Sequence, residues 1–464
     1  MLLHPLKFIL FVILGLLPAM LGAQTPPLPA TLPEDFFPGL RAILHSALQQ
    51  SPQMISSNLD LTAAEANRYM AASGLWPSVS AGTSLGGGQN SSVIRYNALQ
   101  QSPFLSSYTY SFGVSQPLYH WGALQAATDI SHLQIKISEH QYAQAYSELA
   151  TTLRSQYLSL IAQKVQLRTA GLSLDQIKAS VAVVEDRFKN GGATSDELTN
   201  AHLQLDDANL SIDRAMESFA HAKRMFLLMA GLSELSDDAI PDEIPPPIYS
   251  ADTVEALLQN FESSGLHDTF LGRIYDDQIK QSELSYKIAK YRLYPKLDLS
   301  AGLSQEDESQ VSGNTVVRNE VISNSVGVGV SWSIFDGFAT RGAKLAALNN
   351  KRGAERKLRN YLDQTLEEAR ESERQLVFSA RALAIAERRF QFSKEALQRA
   401  KDDFKLHTLS QSGLDQATAN FYQEQAGIFG ARADFLSQWS GYLSLLNVDP
   451  VLNNLPTRFF SDAK

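Results

Sequence analysis

Residues able to do chemistry are few and scattered in this chain. Beyond His4 near the start, its histidines stand at His45, His120, His132, His140, His202, His221, His267 and His407, and of these only His132 and His140 could share a helix face. Two imidazoles without a third ligand close by do not make a metal site. No glycine loop able to cradle a phosphate and no nucleophile elbow occurs. With no cysteine, a disulfide scaffold, a thiolate metal site and a lipid-modified cysteine are all excluded. No catalytic residue, cofactor or metal is expected, and the chain is not read as an enzyme. Charge remains. Asp196, Glu197 and Asp415 lie just past two turns, at Asn190-Gly191-Gly192 and at His407-Thr408. Such carboxylates attract cations. They also favour helix starts, and Thr194 and Glu197 have capping-box spacing.

The elements that place those acids are long helices. From Leu160 the chain steps in sevens through Leu167, Leu174, Val181 and Phe188, then again through Leu198, Leu205, Ile212, Phe219 and Phe226. A strict seven-residue apolar period holds one seam toward a neighbouring helix. The same ladder returns 216 residues later as Leu376, Leu383, Phe390, Leu397 and Phe404, then Leu414, Phe421, Ile428, Phe435 and Tyr442. The chain is therefore a duplicated unit, and each copy contains a helical hairpin. Between Pro117 and Pro241 there is no proline. A helix from Gly122 to Phe188 would span on the order of 100 Å. Polar residues at the seam, Lys164 and Glu387, suggest a hollow bundle with some seam positions near water. Glu367, Glu368, Arg370, Glu371, Glu373 and Arg374 read as a solvated face with local ion pairs.

Four short stretches alternate with period two. Val79, Ala81, Thr83 and Leu85 alternate with small polar residues, as do Tyr108, Tyr110, Phe112 and Val114, then Leu297, Leu299, Ala301 and Leu303, and finally Val326, Val328, Val330, Trp332 and Ile334. Each has about nine to eleven residues, the length a tilted strand needs to cross a bilayer, with apolar side chains to lipid and Ser, Thr and Gly to a wet bore. A soluble sandwich with one solvated face would fit any two of them. The export signal and the length of the flanking helices favour the membrane. Four strands cannot close a membrane barrel, which needs at least about eight, so the chain must oligomerise. Sequence physics alone allows a dimer, trimer or tetramer.

Met1 to Ala23 reads as a secretory signal peptide: Lys7, an apolar run from Phe8 to Leu21, then Gly22 and Ala23. A stiff leader rich in proline follows to Pro38, without helix, and helix begins near Gly39 with a turn at Ser51-Pro52. The organisation expected is 24–231 as a first repeat, with a β-hairpin over 76–118 and a helical hairpin over 119–231. A proline-rich linker follows over 232–268. The second repeat is 269–449, with a β-hairpin over 295–335 and a helical hairpin over 336–446, and 450–464 is an irregular tail. Polar loops are expected at Gly86 to Ser107 and at Gln305 to Asn324. The formal charge of −9 argues against nucleic acid.

This order, strand hairpin, long helical hairpin, linker, and the same again behind a signal peptide, resembles the TolC family of outer-membrane efflux and secretion channels. Gln116-Pro117-Leu118-Tyr119-His120-Trp121-Gly122 and Ser331-Trp332-Ser333-Ile334-Phe335-Asp336-Gly337 resemble that family's strand-to-helix junctions. The resemblance implies a homotrimer, mainly α with membrane β. Four strands per subunit would make a twelve-stranded outer-membrane β-barrel, continuous with a periplasmic α-barrel. It also implies partners: outer-membrane lipid, a periplasmic adaptor and an inner-membrane transporter. The adaptor would dock at the tips Gly191, Gly192, Ala193, His407, Thr408 and Leu409. Phe188, Gly191 and Thr194 match the family's tip spacing; in the second tip Phe404 and Ser410 match, but His407 stands where glycine is usual. Asp196, Glu197 and Asp415 would then ring the periplasmic entrance, although Asp415 is off the family's usual register. The function implied is a passive exit duct for small molecules. A type I protein secretion outlet is the near alternative, and a non-channel envelope scaffold or adaptor, with a water-soluble β-domain, the distant one.

Overall fold

The computed structural model describes residues 32–88, 105–312 and 315–456; the expected signal peptide and most of the first polar loop lie outside them. Four strands form one antiparallel sheet in sequence order: β1 (Ser78–Gly88), β2 (Leu105–Tyr119), β3 (Lys296–Ser312) and β4 (Thr315–Ser331). The register pairs Val79 with Val114, Phe112 with Leu303, and Leu299 with Val328, so the apolar side chains of all four strands share one face.

Two expectations fail in the strands and the leader. The polar loop expected at Gln305 to Asn324 is instead a ladder, because β3 and β4 run 17 residues each. Cross-strand pairs hold it: Arg318 Nε donates to both Asp307 oxygens at 2.7 Å, and Gln305 pairs with Glu320. Polar composition concealed the strand, since a diagonal pair of opposite charges across a ladder stabilises it as apolar pairs do. The leader also carries helix. α1 (Pro33–Phe36) and α2 (Pro38–Gln50) each begin on a proline, whose missing N–H costs nothing in a first turn.

Below the sheet the helices stand in the same order as the strands. α3 (Pro52–Ser73) packs on α4 (Ala123–Lys189), α4 on α7 (Phe270–Lys290), and α7 on α8 (Ala339–Lys405). Further down, α5 (Ser195–Ala230) packs on α4, and α9 (Gln411–Leu445) lies against both α8 and α4. α3 begins where α5 ends, and α7 begins where α9 ends, so the short helices stack into struts beside the long ones. Both long helices have 67 residues.

The duplication is visible in the backbone. Among the described residues eight have left-handed φ: Trp121, Gly122, Gly191 and Gly231 in the first repeat, and Gly337, Phe338, His407 and Asn447 in the second. Each of the first four sits 216 residues before one of the second four. Helices α4, α5, α8 and α9 all end in the same way. The N–H of the residue after the left-handed one reaches back five positions: Gly192 to Arg187 O, Leu232 to Leu227 O, Thr408 to Asp403 O and Val448 to Leu443 O. This pairing of an inner and an outer bond is the Schellman motif.

The core sits at mid-height. Leu40, Leu44, Tyr146, Phe226, Phe435, Trp439 and Tyr442 are buried in one cluster. The linker closes over it with Ile240, Ile244, Val254 and Phe261 and contains a helix, α6 (Ala251–Asn260), that its prolines concealed. The C-terminal stretch is not irregular throughout: Pro450–Asn454 form a short 3-10 turn that buries Val451 and Leu452. Arg154, wholly buried, joins the two ends of the chain. Its guanidinium donates to Glu34 Oε2 at 2.8 Å, to Asp449 Oδ1 at 2.9 Å and to Ser440 Oγ at 2.9 Å.

Candidate functional site

The sheet presents a strip of exposed apolar side chains that a water-soluble sheet would have to cover. Val326, Val330 and Ile334 on β4 and the segment after it are 81%, 67% and 77% exposed, and Val79, Leu85, Tyr110 and Phe112 continue the strip. The opposite face carries Ser, Thr, Gly and the pair His120 Nε2 to Asp298 Oδ1 at 2.8 Å. No other described strand pairs with the outer edges of β1 and β4. A sheet with two open edges and a greasy face is a segment of a larger closed surface.

Aromatic rings mark the step from sheet to helices. Trp121 meets Tyr119 and Tyr294 edge-on, both at 5.0 Å, and its indole N–H donates to Pro295 O at 2.6 Å. Trp332 donates likewise to Leu293 O at 3.0 Å. Left-handed φ at Trp121-Gly122 and Gly337-Phe338 turns the chain from strand into helix.

Along the helices the ladder changes character with distance from the core. Leu160 and Leu376 are fully buried and Leu174 nearly so, whereas Phe188 at the far end is 41% exposed. Near mid-height the rungs close a core, as Phe226, Phe435 and Tyr442 show; toward the tips they loosen. The polar seam residues Lys164 and Glu387 have partners and are both partly exposed. Lys164 donates to the Asp237 and Ile240 carbonyls at 2.9 and 2.6 Å and so anchors the linker, and Glu387 lies 4.0 Å from Arg432. Flanking positions on the lower helices, including Val183, Leu203, Phe378 and Phe392, leave large apolar side chains exposed.

The tips are two matched turns. In the first, Gly191 is left-handed with φ 72°, and Arg187 Nη2 donates to Gly192 O at 2.8 Å. Thr194 Oγ1 accepts from the Glu197 N–H at 3.2 Å while Glu197 Oε2 accepts from the Thr194 N–H at 3.2 Å, so the capping box is formed. In the second, His407 takes φ 56°, Thr408 Oγ1 donates to Asp403 O at 2.9 Å, and Ser410 Oγ accepts from the Gly413 N–H. Ala193 and Leu409 are half-buried; Gly191, Gly192, His407 and Thr408 are exposed. Asp196 and Glu197 are exposed, whereas Asp415 is half-buried and accepts from Gln411 Nε2 at 2.8 Å. Leu406, 71% exposed beside the second turn, is a surface residue that the ladder did not mark. No group of three or more metal-ligating side chains occurs among the described residues.

Comparisons with known proteins agree with this geometry. Residues 43–225 and 278–447 match the family described as outer membrane efflux protein. The pyoverdine export outer membrane protein OpmQ of Pseudomonas aeruginosa is 23% identical over 281 residues, which span 58% of this chain and 56% of that protein. The chain thus spans little more than half the length of that relative. In fold it is similar to the Campylobacter jejuni CmeC outer membrane channel, with TM-score 0.67, 16% identity and coverage of 92% of each chain. It is also similar to the open-state Neisseria gonorrhoeae MtrE outer membrane channel, with TM-score 0.63, 14% identity and coverage of 88% of each.

Proposed function

Because the chain belongs to the outer membrane efflux protein family, we propose that it is a passive trimeric exit duct, docking with a periplasmic adaptor and an inner-membrane transporter to export small molecules. One observation carries the reading: a four-stranded sheet with both outer edges open runs, strand over helix, into a four-helix wall about 100 Å tall. Three copies give twelve strands, enough to close a barrel. The same closure covers apolar flanks such as Val183 and Phe392 with neighbouring helices.

Small residues on the lumenal face supply width rather than chemical selection. Energy for export must come from the partner. The adaptor meets the far turns at Gly191, Gly192 and Ala193 and at His407, Thr408 and Leu409; exposed Phe188 and Leu406 beside them supply apolar contact. Asp196, Glu197 and Asp415 line the entrance. Small-molecule export rests on the relative named for pyoverdine export.

The test is the mass of the detergent-solubilised protein together with conductance in a planar bilayer. A trimer that opens steady pores is expected. A protein that stays monomeric and soluble without detergent would overturn the duct.

A further inference from the structure

The junction of sheet and helix wall differs between the repeats in a way that folding does not require. The second half of α7 carries Lys280, Lys287 and Lys290 on one face. Aligned through Trp76-Pro77 and Tyr294-Pro295, the matching positions of α3 are Thr62, Tyr69 and Ala72. α3 packs on α4 as α7 packs on α8, so the wall is built equally well without the lysines.

Between α4 and α7 lies a groove of about 510 Å³, with Asp129, His132 and Lys136 on one side and Lys280, Glu283 and Lys287 on the other. Aromatic rings stand near its Lys287 end. Trp121 stacks on Tyr291 with centroids 6.5 Å apart, and Lys290 Nζ lies 5.5 Å from the centre of the Tyr291 ring. The Lys287 side chain passes beside Gly122, where α4 begins. Tyr119 carries the ring cluster onto the sheet, opposite Leu297 on the apolar face. The groove therefore opens directly beneath the apolar strip, at the depth where lipid headgroups meet tyrosine and tryptophan rings.

Charge in the groove is unevenly spent. Glu283 is held by Lys351 at 2.7 Å, Asp129 accepts from Gln125 at 3.0 Å, and Lys280 pairs with Asp277 at 2.7 Å. Among the described residues, neither Lys287 nor Lys290 has a carboxylate partner. Two uncompensated ammonium groups at the foot of an apolar strip match a phosphate that has acyl chains attached, and a free phosphate would make no use of the strip.

The geometry points to this groove as a site for the headgroup of an anionic glycerophospholipid. The phosphate lies between Lys287 and Lys290, the rest of the headgroup enters the groove, and the acyl chains run up the apolar face past Tyr119. This inference rests on the outer-membrane placement of the sheet. With no cysteine to carry a covalent lipid, the contact is non-covalent.

The test uses the full-length protein in detergent, titrated with phosphatidylglycerol, phosphatidylethanolamine or phosphatidylcholine and followed by native mass spectrometry, with inorganic phosphate as competitor. Phosphatidylglycerol should bind tightest and resist competition. Lys287→Gln with Lys290→Gln should weaken it about tenfold, whereas Arg356→Gln with Lys357→Gln, on α8, should not. Equal binding of the three lipids, an unchanged Lys287/Lys290 variant, or displacement by inorganic phosphate would each overturn the proposal. Conductance in phosphatidylcholine bilayers keeps the two readings apart: both variants should still open pores, and failure of the wild type to do so would count against the duct itself.

Discussion

Arg154 and Asp449 form an ion pair with neither side chain exposed to solvent, although 295 residues separate them in the chain. Glu34 grips the same guanidinium from the other end of the chain, and against the lowering effect of burial the Asp449 and Glu34 carboxylates hold the Arg154 pKa above the ordinary arginine range. Removing one member of such a cluster strands a buried charge. Asp449→Ala and Arg154→Met should each cost about 3–5 kcal/mol in denaturant unfolding. Wild-type stability in either would show that the cluster ties nothing together.

Alkali should loosen the mid-height core. Burial raises the phenol pKa of Tyr146, Tyr157 and Tyr442 above the ordinary 10.0. Unfolded phenols ionise near that value while the folded ones stay neutral, so above it the folded state holds more protons and stability falls as pH rises. Below pH 10 these phenols contribute no pH dependence. Tyr442→Phe removes the hydrogen bond to Val254 O at 2.9 Å but should flatten the alkaline slope. Tyrosinate absorbance during alkaline titration, compared between the two proteins, decides it.

The left-handed positions should respond unequally to substitution. A Cβ at Gly231 would stand 2.1 Å from Gln50 O, so Gly231→Ala should cost more than the ~1–2 kcal/mol of left-handed strain alone. At His407 a side chain already bears that strain, and His407→Gly should recover up to about 1 kcal/mol. Slower proteolysis at the second tip in that variant, with wild-type unfolding elsewhere, is the expected reading.

Charge and capping can be separated at the first tip. Glu197→Gln keeps a side-chain acceptor for the Thr194 N–H and loses the charge; Thr194→Ala loses the cap, at about 1 kcal/mol, and keeps the charge. If the acids shape the entrance, Glu197→Gln together with Asp196→Asn and Asp415→Asn lowers cation preference in reversal-potential measurements, while Thr194→Ala leaves it intact. Unchanged selectivity in the triple variant would leave Glu197 only its cap, formed at 3.2 Å.

Periodic features were legible and long-range polar ones were not. Heptads at Leu160 to Phe226 and Leu376 to Tyr442 gave both hairpins, since period is a property of neighbouring residues. The continued ladder at Gln305 to Asn324 was not legible because Arg318, diagonal to Asp307 across the ladder, looks like loop composition until the register is known. In the linker, Val254, Leu257, Leu258 and Phe261 have helical spacing, but the prolines at 241 and 245–247 dominate the composition of the stretch. Arg154 could not be singled out, for no local pattern distinguishes an arginine destined for burial from one on the surface. The anchoring role of Lys164 was illegible for the same reason: the carbonyls that accept from it are more than seventy residues away.

α4 and α8 begin at the sheet, end in matched turns and have the same 67 residues. Side by side in one wall, they act as two rails of a ladder whose feet must stand level. Lengthening one alone would tilt the tips and misalign every rung past the insertion. Change in the reach of this molecule can therefore come only in quanta: seven residues at a time, about 10 Å, made in both rails and in the helices that return beside them.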